Sequence, residues 1–217
     1  RLLNPDIAAR VEAAIAKLFA YAEELVADRR ANPSPDFIGL LVKAHADNPE
    51  QLSEQEMLDM IVLAIFGGID TTRNQIGLAM DMFIQNPDQW ALLVSDPDRY
   101  IAGAVEEILR WATPVMYFRR NATADFELRG KTIKAGDKIS LWYVSANRDE
   151  EVFDDPFRFD ITRDPSPHGA FGGGGPHFCL GAQLAKMEIR VLFEELVRRA
   201  PRIEALGPPD PLRSNWI

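Results

Sequence analysis

The most informative segment of this chain is Gly172-Gly173-Gly174-Gly175-Pro176-His177-Phe178-Cys179-Leu180-Gly181, which holds the only cysteine of 217 residues. A sulfur at the start of a helix meets unpaired backbone N–H groups and the positive end of the helix dipole, and both favour the thiolate. A lone cysteine is usually a small, buried hydrophobic residue. Four consecutive glycines are costly to order, however, and they allow positive φ angles beside something flat or bulky. We therefore interpret Cys179 as a metal ligand.

The composition argues against several functional classes. A net charge of −9 and a pI near 4.9 disfavour a general binder of nucleic acid or of membrane surfaces. One cysteine cannot form a disulfide within the chain, which suits a reducing compartment. The longest apolar run, residues 60–69, is much shorter than the roughly 20 residues of a membrane span, and no signal-peptide pattern is present. These features predict a cytoplasmic protein.

The ends of the sequence predict an incomplete chain, since it begins with Arg1 rather than methionine and stops at Asn215-Trp216-Ile217 without a polar tail. The first half reads as helical. A first helix is expected from Asn4-Pro5-Asp6 to about Arg30. Further helices are expected over residues 36–46, from the Ser53/Glu56 capping box to Asn86-Pro87, and over 88–94 and 97–111. Because residues 57–69 are apolar nearly all round, the long helix is predicted to pass through the middle of the fold.

In the second half of the chain, the spacing of apolar residues changes from that of helices to that of short strands. Short strands are predicted over residues 116–121, 126–128, 132–134 and 138–144, with turns at Arg129-Gly130 and Ala135-Gly136. An irregular segment over 151–170 precedes a last helix from Cys179 or Leu180 to about Arg199. The predicted fold class is therefore mainly α with a small β region, as one continuous unit.

The segment Gly67-Gly68-Ile69-Asp70-Thr71-Thr72 is unusual for a helix interior. Each glycine costs roughly 1 kcal/mol relative to alanine there, and a carboxylate in apolar surroundings is expensive unless it is paired or hydrated. One interpretation is a kink where another backbone packs closely, with Asp70 in a salt bridge. The other is a widened groove in which a small ligand lies beside a hydroxyl and an acid.

Two sets of charged residues are also candidates. Glu107 and Arg110 commonly form a mere surface pair at this spacing, unless a third charge such as Arg163 joins them. Arg119, Arg120 and His177 are basic groups that could hold carboxylates. Lys186 and Arg190 lie one turn apart on the last helix, either as a solvated face or as a positive patch for an acidic electron donor.

Taken together, these motifs resemble those of the cytochrome P450 haem-thiolate family. The segment 67–72 is similar to the oxygen-activation motif of the family, Glu107 and Arg110 to its E-x-x-R motif with Arg163 as third partner, and 175–181 to its haem-binding signature. Ala146-Asn147-Arg148-Asp149 followed by Phe153, Pro156 and Phe159 also fits the bacterial pattern. Phe171 lies eight residues before the cysteine instead of seven, as in bacterial members that act on sterols and methyl-branched lipids. The resemblance covers only the C-terminal half of the family's length, without the terminal hairpin, so residues 1–217 are expected to form a partial domain of that fold.

The resemblance implies a monooxygenase that uses haem b and inserts one oxygen atom into a hydrophobic substrate similar to a sterol, terpenoid or fatty acid. Cys179 would be the proximal ligand, supported by amides of Leu180 and Gly181, and Thr71 and Asp70 would deliver protons. Electrons would come from a ferredoxin that docks near Lys186 and Arg190. Other residues implied by the resemblance bind haem (Gly67, Gly68, Arg120, Phe171, Gly172, His177), line the substrate pocket (Leu63, Phe66, Val115, Met116, Tyr117) or are structural (Glu107, Arg110, Arg163).

Two alternatives remain open from the sequence. A protein of this pattern could bind haem or a lipid without turnover, although the costly acid–hydroxyl pair Asp70-Thr71 argues against a pure binder. The truncated chain could also be inactive by itself, because it lacks about half of the core on which its helices are shaped to pack.

Overall fold

A computed structural model describes residues 5–209 and divides the chain into two compact units, Arg1–Ile69 and Asp70–Ile217. Asn4 and residues 215–217, to which two of the sequence predictions refer, lie outside the described residues. The described part contains the helices α1 (Pro5–Ala31), α2 (Phe37–Asp47), α3 (Glu54–Gln85), α4 (Pro87–Ser95), α5 (Pro97–Ala112), α6 (Tyr143–Ala146) and α7 (Ala182–Arg199), and the strands β1 (Tyr117–Asn121), β2 (Phe126–Leu128), β3 (Lys131–Ile133) and β4 (Lys138–Trp142). Within residues 5–209, no helix combines the length and the apolar character that crossing a membrane requires.

The first unit is held together by an apolar cluster. It joins Ala22 and Val26 of α1, Leu41 of α2, and Met57 and Ile61 of α3, all of them buried. Local capping sets where the helices begin. Asp36 Oδ1 accepts the Gly39 N–H at 2.9 Å ahead of α2. The capping box ahead of α3 is confirmed, with Ser53 N–H donating to Glu56 Oε2 at 2.9 Å and Glu56 N–H donating to Ser53 Oγ at 3.2 Å.

The apolar segment of α3 is not enclosed within the first unit. Met57 and Ile61 are fully buried, but the side chains of Met60, Leu63, Phe66 and Ile69 are 42–67% exposed. The prediction that this segment passes through the middle of the fold is therefore wrong for the first unit. The physical reason is that α1 and α2 cover only one side of the helix.

The second unit has a larger core that fixes α5 and α7 against each other. Phe83 lies at its centre, with ring centroids 5.3 Å from those of Trp90, Phe159 and Phe193. The apolar face of α5, including Ile101, Ala104, Val105 and Ile108, packs into the same cluster as Ile189 and Val197 of α7. This packing places the charged side chains of α5 within reach of those at the start of α7.

The β region consists of two small antiparallel sheets. β1 pairs with β4, with Arg120 opposite Ile139, and β2 pairs with β3 across the turn at Arg129-Gly130. The predicted strand over 138–144 is too long, because it ends at Trp142 and the chain turns into α6. The turn is closed by Asn147 N–H, which donates to Tyr143 O at 2.9 Å. Asn147 is fully buried and draws the chain inward at this point.

Candidate functional site

Cys179 lies on a hydrogen-bonded loop, and its thiol is exposed. The Cys179 N–H donates to Phe171 O at 3.0 Å, which closes the glycine segment into a loop. The Ala182 N–H donates to Cys179 O at 3.3 Å, and Gly181 is the N-cap of α7. The helix therefore begins at Ala182, and the prediction that it begins at Cys179 or Leu180 is wrong. These turns place the sulfur just ahead of the helix instead of on its first residues.

The glycine loop requires glycine for its backbone angles. Gly172, Gly174 and Gly175 have φ of 94°, 95° and 78°, which side chains of L-residues rarely adopt. A Cβ at Gly173, Gly174 or Gly175 would meet no atom within 4 Å. The glycines are therefore not required by crowding among the described residues. They keep one side of the loop open while the main chain folds back to Phe171.

Two basic residues of the predicted site, Arg120 and His177, lie in the second unit. Arg120, on β1, donates to the Arg119 carbonyl at 3.0 Å, and its guanidinium carbon lies 6.0 Å from the Phe118 ring centroid. His177 is exposed on the glycine loop. Within residues 5–209, neither side chain forms an ion pair with a carboxylate. Both side chains are thus available to an anionic group from outside the chain.

Gly67 and Gly68 belong to the first unit. A Cβ at either position would meet nothing within 4 Å there. Within that unit, the interpretation that another backbone packs closely on these glycines is wrong. The side chains of Leu63 and Phe66, which the sequence places in the pocket, are 67% and 43% exposed.

Asp70 and Thr71 begin the second unit. Asp70 Oδ1 accepts from Arg73 Nη2 at 2.6 Å, and the exposed fractions of the two side chains are 29% and 68%. The predicted salt bridge is therefore present, and it is a largely exposed one. Thr71 is half-buried. The buried Gln75, which the sequence analysis missed, donates to Ile108 O at 2.6 Å and ties this part of α3 to α5.

The other predicted pocket residues lie where α5 passes into β1. Val115, Met116 and Tyr117 are half-buried, and the Tyr117 ring lies 4.7 Å from that of Trp142. Met116 O accepts the Tyr143 N–H at 2.9 Å, which holds this segment against the start of α6. The segment is therefore ordered by backbone pairing on one side.

Glu107, Arg110 and Arg163 come together, as the sequence predicts when a third charge joins the pair. Arg110 Nε and Nη2 donate to the two carboxylate oxygens of Glu107, each at 2.7 Å, and neither side chain is exposed. Arg163 Nε lies 3.3 Å from Glu107 Oε2, close enough for an ion pair, although its N–H is not aligned for a hydrogen bond. The interpretation of a surface pair is wrong.

The remaining donors of Arg110 organise the irregular segment. Arg110 Nη1 donates to Asn147 O and Pro156 O at 2.8 and 2.9 Å, and Nη2 donates to Arg158 O at 3.0 Å. The Asn147 side chain then accepts the Gly169 N–H at 2.8 Å. This sequence of hydrogen bonds reaches the residues that precede the glycine loop.

A second acidic residue of α5, Glu106, was not found by sequence reasoning. Its carboxylate accepts from His168 Nε2 at 2.9 Å and from Lys186 Nζ at 2.7 and 3.0 Å. The hydrogen bond from His168 and the cation of Lys186 together lower the pKa of Glu106 to about 2. The adjacent Glu106-Glu107 pair was the one available signal in the sequence.

The predicted positive patch on α7 is balanced by acids. Lys186 pairs with Glu106, and Arg190 Nε pairs with Glu194 Oε1 at 2.7 Å on the same helix. A partner protein would therefore compete with Glu106 for Lys186 and with Glu194 for Arg190. Arg190 keeps 60% of its side chain exposed, against 31% for Lys186.

Cys179 offers one thiol as a possible ligand to a metal. Within residues 5–209, no group of three or more His, Cys, Asp or Glu side chains is placed to hold a metal ion. An exposed thiol beside the exposed apolar side chains of Phe178 and Leu180 suits a flat apolar cofactor that brings its own remaining ligands to the metal. A porphyrin does so, and a cysteine thiolate is a known axial ligand of haem iron. The residues present therefore fit haem, and they define a protein of the haem-thiolate class.

Comparison with known proteins agrees with this class. The family model described as Cytochrome P450 matches residues 1–200, and the chain belongs to that family. It is 47% identical over 220 residues to the methyl-branched lipid omega-hydroxylase of Mycobacterium tuberculosis, covering 99% of this chain and 50% of that protein. It is 42% identical over 201 residues to the steroid C26-monooxygenase of Mycolicibacterium smegmatis, covering 93% and 46%.

The solved structures confirm the predicted fold class. Mycobacterium marinum cytochrome P450 CYP268A2, solved in complex with pseudoionone, matches with a TM-score of 0.83 at 44% identity, over 87% of this chain and 45% of that one. The chain thus spans about half the length of the curated relatives and of this solved structure.

Proposed function

We propose that this chain is the haem-binding part of a monooxygenase that inserts one oxygen atom of O2 into a hydrophobic substrate. The observation that carries the proposal is the exposed Cys179 thiol, held on a hydrogen-bonded glycine loop in a chain of the cytochrome P450 family. When bound as haem b, the cofactor would supply the iron at which dioxygen is reduced. Cys179 would hold it as a thiolate, which donates electron density to the metal and favours O–O cleavage.

The surrounding residues would orient the cofactor. The backbone N–H groups of Leu180 and Gly181 would donate to the sulfur and tune its basicity. Arg120 and His177 would pair with the propionates, which is consistent with their having no acidic partner among residues 5–209. Phe171 and Gly172 would support the loop beneath the ring.

Asp70 and Thr71 would move protons. Thr71 offers a hydroxyl that can donate and accept, and Asp70 offers a carboxylate that can exchange protons with water. The Asp70–Arg73 pair does not prevent this role, because an exposed pair contributes only about 0.2–1 kcal/mol and opens readily. Gly67 and Gly68 would leave space for dioxygen.

The substrate class follows from the apolar residues and from the relatives. Leu63, Phe66, Val115, Met116 and Tyr117 offer mainly apolar surface, which favours a sterol, a terpenoid or a fatty-acid-like chain. The names of the relatives, a methyl-branched lipid omega-hydroxylase and steroid C26-monooxygenases, support this choice. We propose a ferredoxin-type donor that docks where Lys186 and Arg190 lie, with Arg190 as the more exposed contact.

The test is a haem titration of this chain, followed by circular dichroism and by the spectrum of the reduced CO complex. The proposal expects a thiolate-type spectrum that disappears in Cys179→Ala while the helical signal stays. An unchanged spectrum in Cys179→Ala would refute the assignment of the ligand. Turnover is then tested with a ferredoxin, its reductase and either a steroid or a methyl-branched fatty acid. Haem binding without product would favour the alternative of a binder or of an inactive part.

A further inference from the structure

Three segments of the second unit meet at the carboxylate of Glu106. Glu106 lies on α5, His168 in the irregular segment before the glycine loop, and Lys186 on α7. His168 Nε2 lies 2.9 Å from Glu106 Oε2, and Lys186 Nζ lies 2.7 Å from Oε1. The His168 side chain is only 5% exposed, whereas Glu106 and Lys186 are 35% and 31% exposed. One acidic group therefore joins two helices to the segment that leads to Cys179.

The contacts continue from this carboxylate to the cysteine. His168 Nδ1 accepts the Ala170 N–H at 3.3 Å, so its proton is assigned to Nε2, which faces Glu106. The Phe171 ring is near both cluster partners, its centroid lying 6.3 Å from that of the His168 ring and 5.9 Å from Lys186 Nζ. The Phe171 carbonyl accepts the Cys179 N–H at 3.0 Å. These contacts link the Cys179 backbone to Phe171, and Phe171 to the Glu106 cluster.

We propose that Glu106 is a positioning residue for Cys179, acting through His168, Lys186 and Phe171. The proposal rests on the proposed function, in which Cys179 is the haem ligand. A carboxylate that accepts from two donors on different segments restrains both, and hydrogen bonds to charged groups are the stronger kind. The low pKa of Glu106 agrees with a carboxylate that is ionised throughout the neutral range.

In this proposal Lys186 also has a structural role within the chain. Its cation completes the Glu106 cluster and lies over Phe171, so a change at Lys186 is expected to affect the thiolate even when no electron donor is present. Arg190, which pairs with Glu194 on the same helix and not with Glu106, is expected to have no such effect.

The test compares Glu106→Gln with Glu188→Gln. Glu188 is an exposed carboxylate of α7 without an ion pair among residues 5–209, so its replacement makes the same change of charge outside the cluster. The first readout is amide hydrogen exchange at the Cys179 N–H, measured by NMR without haem. We expect exchange to be roughly tenfold faster or more in Glu106→Gln. In the original chain, opening the loop requires breaking hydrogen bonds to the ionised Glu106 carboxylate, and in the variant this cost is absent. Exchange in Glu188→Gln should match that of the original chain.

The second readout is spectroscopic. In the haem-loaded chain, Glu106→Gln should convert part of the reduced CO complex from the thiolate to the thiol form, and Glu188→Gln should not. The positioning role is refuted if the exchange rates of Glu106→Gln and Glu188→Gln are equal, or if the original chain shows the thiolate-type spectrum and both variants keep it unchanged. If the original chain itself lacks the thiolate-type spectrum, the proposed function fails. This outcome can be told apart from failure of the positioning role, because the exchange comparison is made without haem.

A second variant covers the case in which Glu106→Gln does not fold. Lys186→Met keeps the apolar stem over Phe171 and removes one partner of the Glu106 carboxylate. It must then shift both readouts in the same direction.

Discussion

Arg110 and Glu107 form a two-point ion pair with no exposed side-chain surface, both hydrogen bonds being 2.7 Å long. Removing one partner of a buried pair leaves the other charge uncompensated and costs about 3–5 kcal/mol. We therefore predict that Glu107→Gln lowers the free energy of unfolding of the second unit by an amount of this order. Urea unfolding followed by tryptophan fluorescence checks it, since Trp90, Trp111 and Trp142 lie in that unit.

The matched control for this prediction is Glu194→Gln. Glu194 pairs with Arg190 at a spacing of four residues on the exposed face of α7. Such pairs contribute about 0.3–0.5 kcal/mol, so the unfolding curve should barely move. Equal losses in the two variants would contradict the description of Glu107 as a buried charge.

The glycine loop offers an internal comparison between Gly174 and Gly173. Gly174 has φ of 95°, whereas Gly173 is not among the glycines with positive φ, and a Cβ at either position would meet no atom within 4 Å. Gly174→Ala should therefore be destabilising by about 1–3 kcal/mol through backbone strain, while Gly173→Ala should be nearly neutral. The measurement is again urea unfolding followed by fluorescence. Similar effects of the two substitutions would show that φ is not what requires glycine at position 174.

Much of the fold could be predicted because its signals are local. The Ser53/Glu56 capping box and the prolines Pro87 and Pro97 mark where helices begin, and the structure agrees within a residue or two. The pairing of Glu107 with Arg110 needs only one helical turn. From the residues alone Arg163 is only a candidate third charge, and the resemblance to a known family makes it the expected partner of the pair.

What could not be predicted depends on partners distant in sequence. His168 and Lys186 are 62 and 80 residues away from Glu106, and no periodic pattern links them. The buried contacts of Asn147 turn the chain into α6 where the residue types favour a strand. The exposed apolar face of α3 could not be predicted either, because a sequence shows which side chains are apolar but not which of them this chain covers.

The low pKa of Glu106 predicts a dependence of stability on pH. Its folded pKa is about 2, below the value of 4.5 for an unperturbed glutamate. The stabilisation is therefore fully present above pH 4.5 and is lost as the pH falls towards 2. Because the side chain is 35% exposed, solvent screening reduces the contribution to the order of 1 kcal/mol. The difference in unfolding free energy between the original chain and Glu106→Gln should shrink between about pH 4.5 and pH 2. A constant difference over this range would contradict an ionised Glu106 in the cluster.

Thr71→Ala tests proton delivery in the proposed monooxygenase. Without the hydroxyl, reducing equivalents should leave as hydrogen peroxide instead of forming product, while haem binding survives. The ratio of peroxide formed to NADH consumed, measured with the ferredoxin and its reductase, is the readout. Thr71→Ser keeps the hydroxyl and should keep the coupling. Tight coupling in Thr71→Ala would count against the proton relay.

Alanine at Gly67 or Gly68 is expected to stabilise the haem-free chain but to impair ligand binding. In the first unit a Cβ at either position meets nothing within 4 Å, and both residues lie inside α3. Gly67→Ala and Gly68→Ala should therefore raise the stability of the haem-free chain by about 0.4–1 kcal/mol each, since alanine loses less backbone entropy in a helix. If these glycines leave space for haem and dioxygen, as proposed, the same substitutions should weaken haem binding or slow turnover. Thermal unfolding followed by circular dichroism, together with haem titration, measures both effects.

Gly77→Ala is the control for these substitutions. Gly77 also lies in α3, and a Cβ there would meet no atom within 4 Å, but the residue is outside the motif. Gly77→Ala should therefore stabilise the chain without affecting haem binding. A gain in stability with unaltered haem binding and turnover at 67 and 68 would mean that these glycines serve no ligand.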